Sequence, residues 1–567
     1  MLVIGSCATL AAAVFAVFKG FVPSSWTHAP QDDHERWRCR PFLPNVFEDS
    51  PPGAEHPAIH QSIRALDEYF TSRFGVGDID SLSVAVVTPS GPLYEKNFGA
   101  LRANESSSPP TSSHSMYRLA SISKLFTVLK GLILEQNGVI SWDDPVNKHL
   151  KGFKYRVDGL APHNRNIPST VPPITLFQLA SHMSGLGRDW PPGTASGWPY
   201  DTSGGGPPPE NGLPFPSHER LFDSIAKHHL VSPPWFYPSY SNTGIGVLGL
   251  ALAAASSSAM GYSTAISHAD LLKRDIFEPM GLNGSHFLAT DANRHLIVVP
   301  SEEPDVADLD FLDAMNPAGG QFSSLSDMIT LTQTILNPAH PKSQLSSHTR
   351  DKWLQTVHAF EEDDWTEIGM VWEILKAKDS NDRLRKIYWK LGNVAAYHSA
   401  IAIHPGTSYG IVVLMAGKYP DTAKLVYDAF ELLQPAIDQA LADAVTGLYA
   451  GNWANDAADT ETAARITVNR GTLYMERLVL QGVDALKTLG ADGKVALRST
   501  GWRDELRLDT GMAGYNGLKH MGCYPYWNGQ DNWGLRNNAA INAIYFTGEG
   551  DNRRLHVPSL SLVLKRV

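Results

Sequence analysis

The chain has 567 residues, of which 43% are hydrophobic, and carries a formal net charge of −11 at pH 7. This length exceeds that of one compact domain, so we expect two folded units. The acidic balance, with no block of like positive charges, argues against nucleic acid as a partner.

The N-terminal region contains an apolar segment, residues 2–18, which has no acidic residue and is followed by Lys19. Its length lies between that of a signal-peptide core and that of a short membrane anchor. We therefore predict a signal peptide or signal anchor over residues 1–30, which would place the protein outside the cell or on the lumenal side of a membrane. A buried N-terminal helix is the alternative.

An extended tether is predicted over residues 31–55, because the stretch 41–57 is rich in proline and acidic side chains. The chain has three cysteines, Cys7, Cys39 and Cys523. Removal of the leader would leave Cys39 and Cys523 as a candidate disulfide, with two free thiols as the alternative. Glycosylation sequons begin at Asn104 and Asn283, which fits a secreted glycoprotein.

A first folded domain is predicted over residues 56–440. Its opening and closing elements are a helix marked by Ile59, Ile63, Leu66 and Phe70, strands at 82–87 and 93–98, strands at 400–403 and 411–414, and a helix at 422–440 that contains Pro435. Strands near both ends of the domain with helices between them favour an α/β (α+β) fold, in which helices flank an antiparallel sheet.

Ser121 and Lys124 place a hydroxyl and an amine three residues apart, at the start of the apolar helical pattern 125–133. On a helix this spacing puts both side chains on one face, so the amine can reach the hydroxyl oxygen. A serine at a helix N-terminus with a neighbouring base can attack a carbonyl and form an acyl-enzyme. Because the same spacing is common on solvated helix faces, the assignment depends on partners elsewhere.

Residues 187–238 form a long insertion without periodicity, with tryptophan, tyrosine and phenylalanine side chains that include those at 190, 198, 200 and 235–237. Loops of this length are typical of lids or disordered segments. Because the insertion leads directly into Tyr240, we predict a lid that shapes an apolar acyl or aromatic pocket. A loop that faces solvent is the alternative.

Two further motifs follow in the chain. Tyr240 and Asn242 lie on a turn before the apolar helical run 245–255, and Lys390 and Gly392 end a strand-like run. Taken singly, these residues are typical of a half-buried aromatic, a helix cap and a strand-edge lysine. However, their order after the Ser-x-x-Lys pair indicates that the three motifs belong to one catalytic site.

The motifs Ser-x-x-Lys, Tyr-x-Asn and Lys-x-Gly, in this order, resemble those of the serine β-lactamase and penicillin-binding-protein superfamily. The resemblance is closest to the class C-like branch of esterases, D-amino-acid peptidases and acyltransferases. Segments 174–186, 276–282 and 317–327 are also similar to segments of that branch. The resemblance covers about residues 56–440 and implies a β-lactamase/transpeptidase-like fold with an all-helical subdomain.

The resemblance also implies the catalytic residues. Ser121 would be the nucleophile, and Lys124 and Lys390 would favour removal of a proton from Ser121 or Tyr240. Tyr240 would then carry the proton to the leaving group, although a phenol with its usual pKa of about 10 is too weakly ionised at neutral pH to be a good base.

The binding residues are likewise implied by the resemblance. The backbone N–H groups of Ser121 and of Asn393, which follows Gly392, would bind the oxyanion. Asn242 would hydrogen-bond the acyl side of the substrate. Leu391 replaces the usual threonine or serine, so the hydroxyl that helps hold the substrate carboxylate in drug-hydrolysing relatives is missing. This replacement argues against a lactam antibiotic as the natural substrate.

Other motifs in the chain are better explained by structure. Residues 244–249 match a dinucleotide fingerprint but follow a proline-rich loop instead of a strand, so we interpret the glycines as helix-packing residues. Residues 406–410 match a nucleophile elbow but join two strands, which favours a hairpin turn. The 21 histidines include no H-E-x-x-H, so no metal or cofactor is expected, and His398 and His404 are predicted to be structural.

The pattern changes at about residue 445, which predicts a second domain over 445–567. Short alternating runs separated by turn signals favour a β-barrel or sandwich, similar to the C-terminal β domains of fungal members of the class C-like branch. The predicted strands are 464–468, 473–480, 495–499, 505–508, 543–546 and 560–564.

Three functions fit the sequence. The preferred one is a serine hydrolase or acyltransferase that acts through a Ser121 acyl-enzyme on an ester or amide of a small molecule, in a setting such as secondary metabolism. The alternatives are a β-lactamase or D-amino-acid peptidase, and a non-catalytic binding protein that kept the fold. The sequence leaves open whether water or another alcohol accepts the acyl group.

Overall fold

The computed structural model describes residues 39–165, 173–209, 211–455, 460–511 and 522–567. The predicted leader, Cys7 and the first part of the predicted tether lie outside these residues. The chain divides into two compact units: residues 45–444, called the large unit, and a small unit that combines the residues up to Pro44 with residues 445–567.

The described helices of the large unit lie mostly between its N-terminal and C-terminal strands, although the first helix precedes the first strand and the last helix follows the last strand. In chain order they are α1 Pro57–Phe74, α2 Ser123–Gln136, α3 Val146–His149, α4 Leu176–Ala180, α5 His218–Lys227, α6 Asn242–Ala259, α7 His268–Leu272, α8 Glu278–Met280, α9 Leu312–Gly319, α10 Leu325–Leu336, α11 Ser347–Trp353 and α12 Thr422–Tyr449, the last of which contains the boundary between the units. Residues Lys273–Phe277 are π-helical, and single 3₁₀ turns lie at Val46–Glu48, Ala120–Ile122, Pro162–Asn164, Arg294–Leu296, Pro304–Asp308 and Pro405–Thr407.

The described strands of this unit are β1 Ile79–Thr88, β2 Gly91–Gly99, β3 Met116–Arg118, β4 Phe322–Ser324, β5 His358–Ala359, β6 Thr366–Ile368, β7 Glu373–Lys378, β8 Leu384–Val394, β9 Tyr397–His404 and β10 Tyr409–Gly417. Eight of them form one antiparallel sheet in the order β2-β1-β10-β9-β8-β7-β6-β5. β3 and β4 form a separate antiparallel pair. The predicted antiparallel sheet flanked by helices is confirmed.

Helix α6 is apolar on nearly all sides, which is typical of a helix buried in a core. Its glycines allow α9 to approach closely. A Cβ atom at Gly246 would lie 2.4 Å from the carbonyl oxygen of Ala314, and one at Gly249 would lie 2.3 Å from Cγ of Pro317. The interpretation of residues 244–249 as helix-packing residues is therefore confirmed.

Two elements differ from the predicted ones. Helix α12 runs to Tyr449, past Pro435 and nine residues beyond its predicted end, because Ile437, Leu441, Val445 and Tyr449 continue one buried stripe at four-residue intervals. The insertion 187–238 is not irregular throughout. It contains α5, whose N-terminus is capped by Ser217 and which buries Leu221 and Ile225 in the core.

The residues of the predicted hairpin turn, 406–410, do connect two strands. The chain passes from β9 to β10 through the 3₁₀ turn Pro405–Thr407 and through Ser408, which has a positive φ of 51°. The nucleophile-elbow alternative would require a helix after the strand, so the turn interpretation is confirmed.

The small unit is an antiparallel barrel. Eight strands follow one another in a closed order, β12-β11-β21-β20-β19-β16-β15-β13, and β13 pairs back to β12; β14 extends the edge beyond β13. Its described elements are β11 Gly451–Ala454, β12 Ala463–Asn469, β13 Thr472–Leu480, β14 Val483–Asp484, β15 Val495–Ser499, β16 Glu505–Asp509, β17 Leu535–Arg536, β18 Ala539–Ala540, β19 Ala543–Thr547, β20 Arg554–Val557 and β21 Leu562–Arg566, with helices α13 Ala485–Thr488 and α14 Tyr524–Asn528 and 3₁₀ turns at Gly550–Asn552 and Pro558–Leu560.

Cys39 and Cys523 form a disulfide within the small unit. The sequence left open a disulfide or two free thiols, and the structure shows the disulfide. Among the described helices, none combines the length and the hydropathy needed to span a bilayer.

Candidate active site

Ser121 lies on the 3₁₀ turn that joins β3 to α2. The residue before it, Ala120, has a positive φ of 46°, a conformation that side-chain-bearing residues rarely adopt and that is common at functional sites. Ser123 stabilises the turn, because its hydroxyl donates to the carbonyl oxygen of Ala120 at 2.7 Å and accepts the backbone N–H of Gln321 at 3.1 Å. The turn therefore presents Ser121 at the N-terminal end of a buried helix.

Ser121 Oγ is the point where two other side chains meet. Lys124 Nζ donates to it at 2.9 Å, and the hydroxyl of Tyr240 donates to it at 2.6 Å. Lys124 is fully buried, and its second hydrogen bond goes to the carbonyl oxygen of Ala318 at 2.6 Å. The i,i+3 spacing predicted from the sequence thus brings the amine to the hydroxyl.

Tyr240 is held in place by the residues around it. The backbone N–H of Ser241 donates to Nδ1 of His182 at 3.1 Å, and the imidazole of His182 stacks on the Tyr240 ring with a centroid distance of 4.8 Å. The Ser241 hydroxyl donates to the Gly187 carbonyl and accepts the Gly244 N–H, both at 2.8 Å. Ser241, and not Asn242, is therefore the N-cap of α6.

Asn242 begins α6, and its side chain contacts a buried carboxylate. Asn242 Nδ2 donates to Asp189 Oδ1 at 2.7 Å. Because a carboxylate only accepts hydrogen bonds, this contact fixes the amide with its NH₂ group toward Asp189. Asp189 also lies 3.4 Å from Nε of Arg188, whose guanidinium carbon is 4.7 Å from the Tyr240 ring centroid.

The third motif reaches the same site from β8. Lys390 Nζ lies 5.1 Å from the Tyr240 ring centroid, and Lys124 Nζ lies 5.0 Å from it. Lys390 is paired with Glu373 on β7 at 2.6 Å and also donates to the carbonyl oxygen of Leu391 at 3.0 Å. Its side chain is only 2% exposed.

Gly392 lets β8 pass directly against the nucleophile turn. A Cβ atom there would lie 2.1 Å from the carbonyl oxygen of Leu119 and 2.5 Å from Oγ of Ser399. Ser399 Oγ in turn donates to the Leu119 carbonyl at 2.8 Å. Ser121 and Asn393 therefore stand on two segments that are in contact, which is the placement that a pair of oxyanion-binding N–H groups requires.

Asn393 also contacts a histidine of the hairpin. Its side-chain oxygen lies 2.8 Å from Nδ1 of His398 on β9. The other hairpin histidine, His404, is fully buried and contacts the hydroxyl of Thr407 at 2.6 Å. His398 thus supports a residue of the site, whereas His404 belongs to the turn before β10.

The electrostatic environment changes the acidity of each group in this cluster. Burial lowers the pKa of Lys124, and the positive charge of Lys390 lowers it further. Burial by itself would raise the pKa of Tyr240, but the charges of Lys124 and Lys390 outweigh it and lower that pKa from 10.0 to about 8. Burial would lower the pKa of Lys390, but Glu373 and Tyr240 outweigh it and raise that pKa.

His182 is held neutral next to these cations. Burial lowers its pKa well below the usual value, and the charges of Lys124, Lys390 and Arg188 act in the same direction. A neutral imidazole can accept the Ser241 N–H at Nδ1 and stack on the phenol without adding a charge. His182 therefore positions Tyr240 without opposing or assisting its ionisation by charge.

The end of the 187–238 insertion is fastened beside Tyr240. The backbone N–H groups of residues 231, 235 and 239 donate to the carbonyl oxygens of residues 185, 183 and 182, respectively. Trp235 stacks on Phe177, and Tyr237 packs edge-on against His358 and Phe360 at the β5 edge of the sheet. This stretch forms an aromatic wall, residues 235–237, whose side chains are 41–73% exposed.

The structure brings together the four residues predicted as catalytic, Ser121, Lys124, Tyr240 and Lys390, and places Asn242, Gly392 and Asn393 around them. Sequence reasoning missed Glu373, Arg188, Asp189 and the contact of His182 with Tyr240. His182 lies in the segment 174–186 that resembles the family. The resemblance therefore marked this residue, but it did not indicate what the side chain does. Glu373 had no signal, because its contact with Lys390 depends on the pairing of β7 with β8.

An antiparallel sheet flanked by helices, with Ser-x-x-Lys, Tyr-x-Asn and Lys-x-Gly side chains converging between the two, defines the superfamily of serine β-lactamases and penicillin-binding proteins. The chain belongs to the Beta-lactamase family, whose model matches residues 66–434.

Two curated relatives and one solved structure illustrate the similarity. Beta-lactamase-like protein str6 of Strobilurus tenacellus is 37% identical over 52% of this chain and 97% of its own length. A beta-lactamase-like protein of Arthroderma benhamiae is 26% identical over 81% of this chain and 78% of its own. The β-lactamase/D-alanine carboxypeptidase of Yersinia pestis superposes with a TM-score of 0.52 at 21% identity, covering 67% of this chain and 99% of that one, which shows a shared fold.

Proposed function

We propose that this protein is a serine hydrolase or acyltransferase that forms an acyl-enzyme on Ser121 from an ester or amide of a small molecule. The observation that carries the proposal is the double contact of Ser121 Oγ with Lys124 Nζ at 2.9 Å and with the Tyr240 hydroxyl at 2.6 Å. A hydroxyl in contact with a phenol of lowered pKa has a base within reach of its proton.

The first step transfers the proton of Ser121 to the phenolate of Tyr240. With a pKa of about 8, about one tenth of the Tyr240 side chains are ionised at pH 7. Ser121 Oγ then bonds to the carbonyl carbon, and the carbonyl oxygen becomes an oxyanion that the N–H groups of Ser121 and Asn393 bind. The bond to the leaving alcohol or amine breaks as Tyr240 returns the proton to it.

The second step releases the acyl group. Water, or an acceptor alcohol, gives its proton to Tyr240 and attacks the acyl carbon, and the proton returns to Ser121 Oγ as the acyl bond breaks. Lys124 and Lys390 act throughout by stabilising the phenolate. The aromatic wall at 235–237 favours an apolar or aromatic group on the substrate. We also propose that this wall is part of a lid formed by the insertion 187–238.

A β-lactamase or D-amino-acid peptidase is the second candidate, favoured by the activities that the name of the Yersinia pestis protein states. Two features weigh against it. Leu391 supplies no hydroxyl, and Lys390 is closed off from a substrate carboxylate by its contacts with Glu373 and the Leu391 carbonyl. A non-catalytic binding protein is disfavoured because it would have no need for a phenol of lowered pKa against a serine.

The test is a substrate panel with a covalent readout. The wild type and Ser121→Ala are incubated with p-nitrophenyl esters, D-Ala-D-Ala peptides and nitrocefin, and the protein mass is recorded after quenching. We expect ester turnover and an acyl adduct at Ser121 in the wild type, and neither in Ser121→Ala. Turnover of nitrocefin alone would favour the second candidate, and no turnover together with no labelling by a serine-directed probe would contradict the enzymatic proposal.

We also propose that the protein enters the secretory pathway. The disulfide between Cys39 and Cys523 supports this, because disulfides persist mainly in oxidising compartments. Asn104 and Asn283 are both exposed, as glycosylation requires. Treatment of the natively expressed protein with an endoglycosidase should reduce its mass, and an unchanged mass would contradict glycosylation. A role in secondary metabolism stays a prediction.

A further inference from the structure

Three cations surround the ring of Tyr240, and they differ in what they can still bind. Lys124 is fully buried, and it donates to Ser121 Oγ and to the Ala318 carbonyl. Lys390 is 2% exposed and forms an ion pair with Glu373 at 2.6 Å, which balances its charge. Neither ammonium group is accessible to an anionic group on an incoming molecule.

Arg188 is different from both lysines. Its side chain is 66% exposed, and its guanidinium lies 4.7 Å from the Tyr240 ring centroid. Asp189 approaches it only through Nε, at 3.4 Å. Within the residues that the structure describes, the two terminal Nη groups of Arg188 have no hydrogen-bond partner. A planar guanidinium with this edge open is suited to bind a carboxylate in a bidentate manner.

Asp189 also holds Arg188 in position relative to the reacting atoms. The carboxylate is 7% exposed and is fixed by Asn242 at 2.7 Å, and the Arg188 carbonyl accepts the backbone N–H groups of Asn242 and Thr243 at 2.8 and 3.1 Å. The residue is therefore tied to the start of α6, two residues after Tyr240. Its guanidinium stands on one face of the ring whose hydroxyl contacts Ser121.

We propose that Arg188 binds a carboxylate of the substrate, so that the preferred substrate class is an ester or amide of a small molecule that carries a negative charge. This inference rests on the proposed function. It follows from the closure of Lys390 by Glu373 and from Leu391, which together remove the usual anion contacts of the third motif, and from the exposed guanidinium of Arg188 at the Tyr240 ring.

The test compares two substrates that differ only in charge. One is the mono-p-nitrophenyl ester of adipic acid, and the other is the methyl ester of the same molecule, with succinate and glutarate pairs and a carboxyphenyl ester to vary the position of the carboxylate. kcat and KM are measured for the wild type, Arg188→Gln and Arg188→Lys. Arg64→Gln is the matched control, because Arg64 is an exposed arginine on α1.

For at least one pair we expect the wild type to prefer the anionic ester and Arg188→Gln to lose that preference by about 10- to 100-fold. The loss should appear in KM, because the carboxylate is bound before and during reaction. Arg188→Lys should keep part of the preference, since lysine keeps the positive charge but cannot bind a carboxylate in a bidentate manner. Arg64→Gln should leave it unchanged.

Two results would overturn the inference. The first is an unchanged preference in Arg188→Gln for every pair. The second is an equal loss for charged and neutral esters with a displaced pH profile, which would mean that Arg188 acts on Tyr240 instead. In either case Ser121-dependent turnover of the neutral esters would leave the proposed function standing, whereas no turnover of any ester by the wild type would contradict that function itself.

Discussion

Tyr240 in the large unit and Tyr449 in the small unit each have a cation over the ring, and the two tyrosines differ in what their hydroxyl contacts. Tyr240, in the large unit, lies under Lys124 and Lys390 and donates to a serine hydroxyl at 2.6 Å. Tyr449, in the small unit, lies under Arg553 at 5.0 Å but donates to the carboxylate of Asp504 at 2.8 Å.

Burial and the charges around each hydroxyl set the acidity of each phenol. Burial raises the pKa of Tyr449 far above its usual value, and the hydrogen bond to Asp504 raises it further, because ionisation would place two negative charges in contact. At Tyr240 burial and the charge of Glu373 act to raise the pKa, but Glu373 is bound to Lys390, and the two ammonium groups lower the pKa to about 8. The two ammonium groups therefore suit Tyr240 to act as a base, whereas burial and Asp504 keep the Tyr449 hydroxyl protonated.

The largest effect is expected from Tyr240→Phe. Removal of the phenol takes away the proposed base that accepts the proton of Ser121, so kcat/KM should fall by about 10²- to 10⁴-fold. The thermal midpoint should stay close to that of the wild type, because the ring and its stacking on His182 are kept. Wild-type rates in this variant would show that Tyr240 is not the base.

Lys390 and Glu373 form an ion pair, and removal of either charge should move the pH profile of kcat/KM in the opposite direction to removal of the other. Activity needs the phenolate, so kcat/KM rises with pH through the pKa of Tyr240. Lys390→Met removes a cation that lowers this pKa, so the rising limb should move to higher pH, with about a tenfold loss at pH 7 for each unit of movement.

Glu373→Gln is the matched partner of that variant. Glu373 raises the pKa of Tyr240, so its removal should move the rising limb to lower pH. Both profiles are obtained from kcat/KM between pH 5 and 10. Movement of both limbs in the same direction would contradict the assignment of the two charges.

Gly392→Ala should weaken the contact between β8 and the nucleophile turn. The new Cβ would meet the Leu119 carbonyl at 2.1 Å, a backbone atom that cannot rotate away, so we expect a loss of about 1–3 kcal/mol in the free energy of unfolding and a lower kcat. Gly447→Ala in α12 is the control, because its Cβ would meet no atom within 4 Å. Equal urea midpoints for the two variants would contradict the close approach.

The smallest effect should come from Tyr449→Phe. This change removes one partly buried hydrogen bond to Asp504, so stability should fall by about 1 kcal/mol while kcat/KM stays at the wild-type value. Thermal unfolding and the ester assay check the two parts. A catalytic defect here would remove the distinction between the two tyrosines.

Most of the fold could be predicted because it depends on local patterns. The bounds of α1, β1 and β2, and of the strands that follow Lys390, agree with the predicted ones to within a few residues. In the barrel, β11 and β20 were missed, since each has only four residues and β20 alternates arginine and histidine with its two buried positions. The helix α5 was missed because its apolar face, Leu221, Phe222 and Ile225, is short.

The site was predicted in part, because its motif residues lie at fixed spacings. The Ser121 to Lys124 contact follows from helical geometry. Glu373, Asp189 and Arg188 could not be found this way. The contact of Glu373 depends on the pairing of β7 with β8. Arg188 and Asp189 lie in the insertion 187–238, which follows the family-like segment 174–186 and matches no family motif. These residues set the charge around Tyr240, which motif spacing alone does not give.

The ionisation of Tyr240 can be measured directly by absorbance at 295 nm as the pH is raised from 6 to 11. The curve of Tyr240→Phe is subtracted from that of the wild type, which isolates one phenol among the 19 tyrosines of the chain. We predict a single phenolate that forms with a midpoint near pH 8. A difference curve that stays flat until pH 10 would contradict the conclusion that Lys124 and Lys390 make this phenol a base for Ser121.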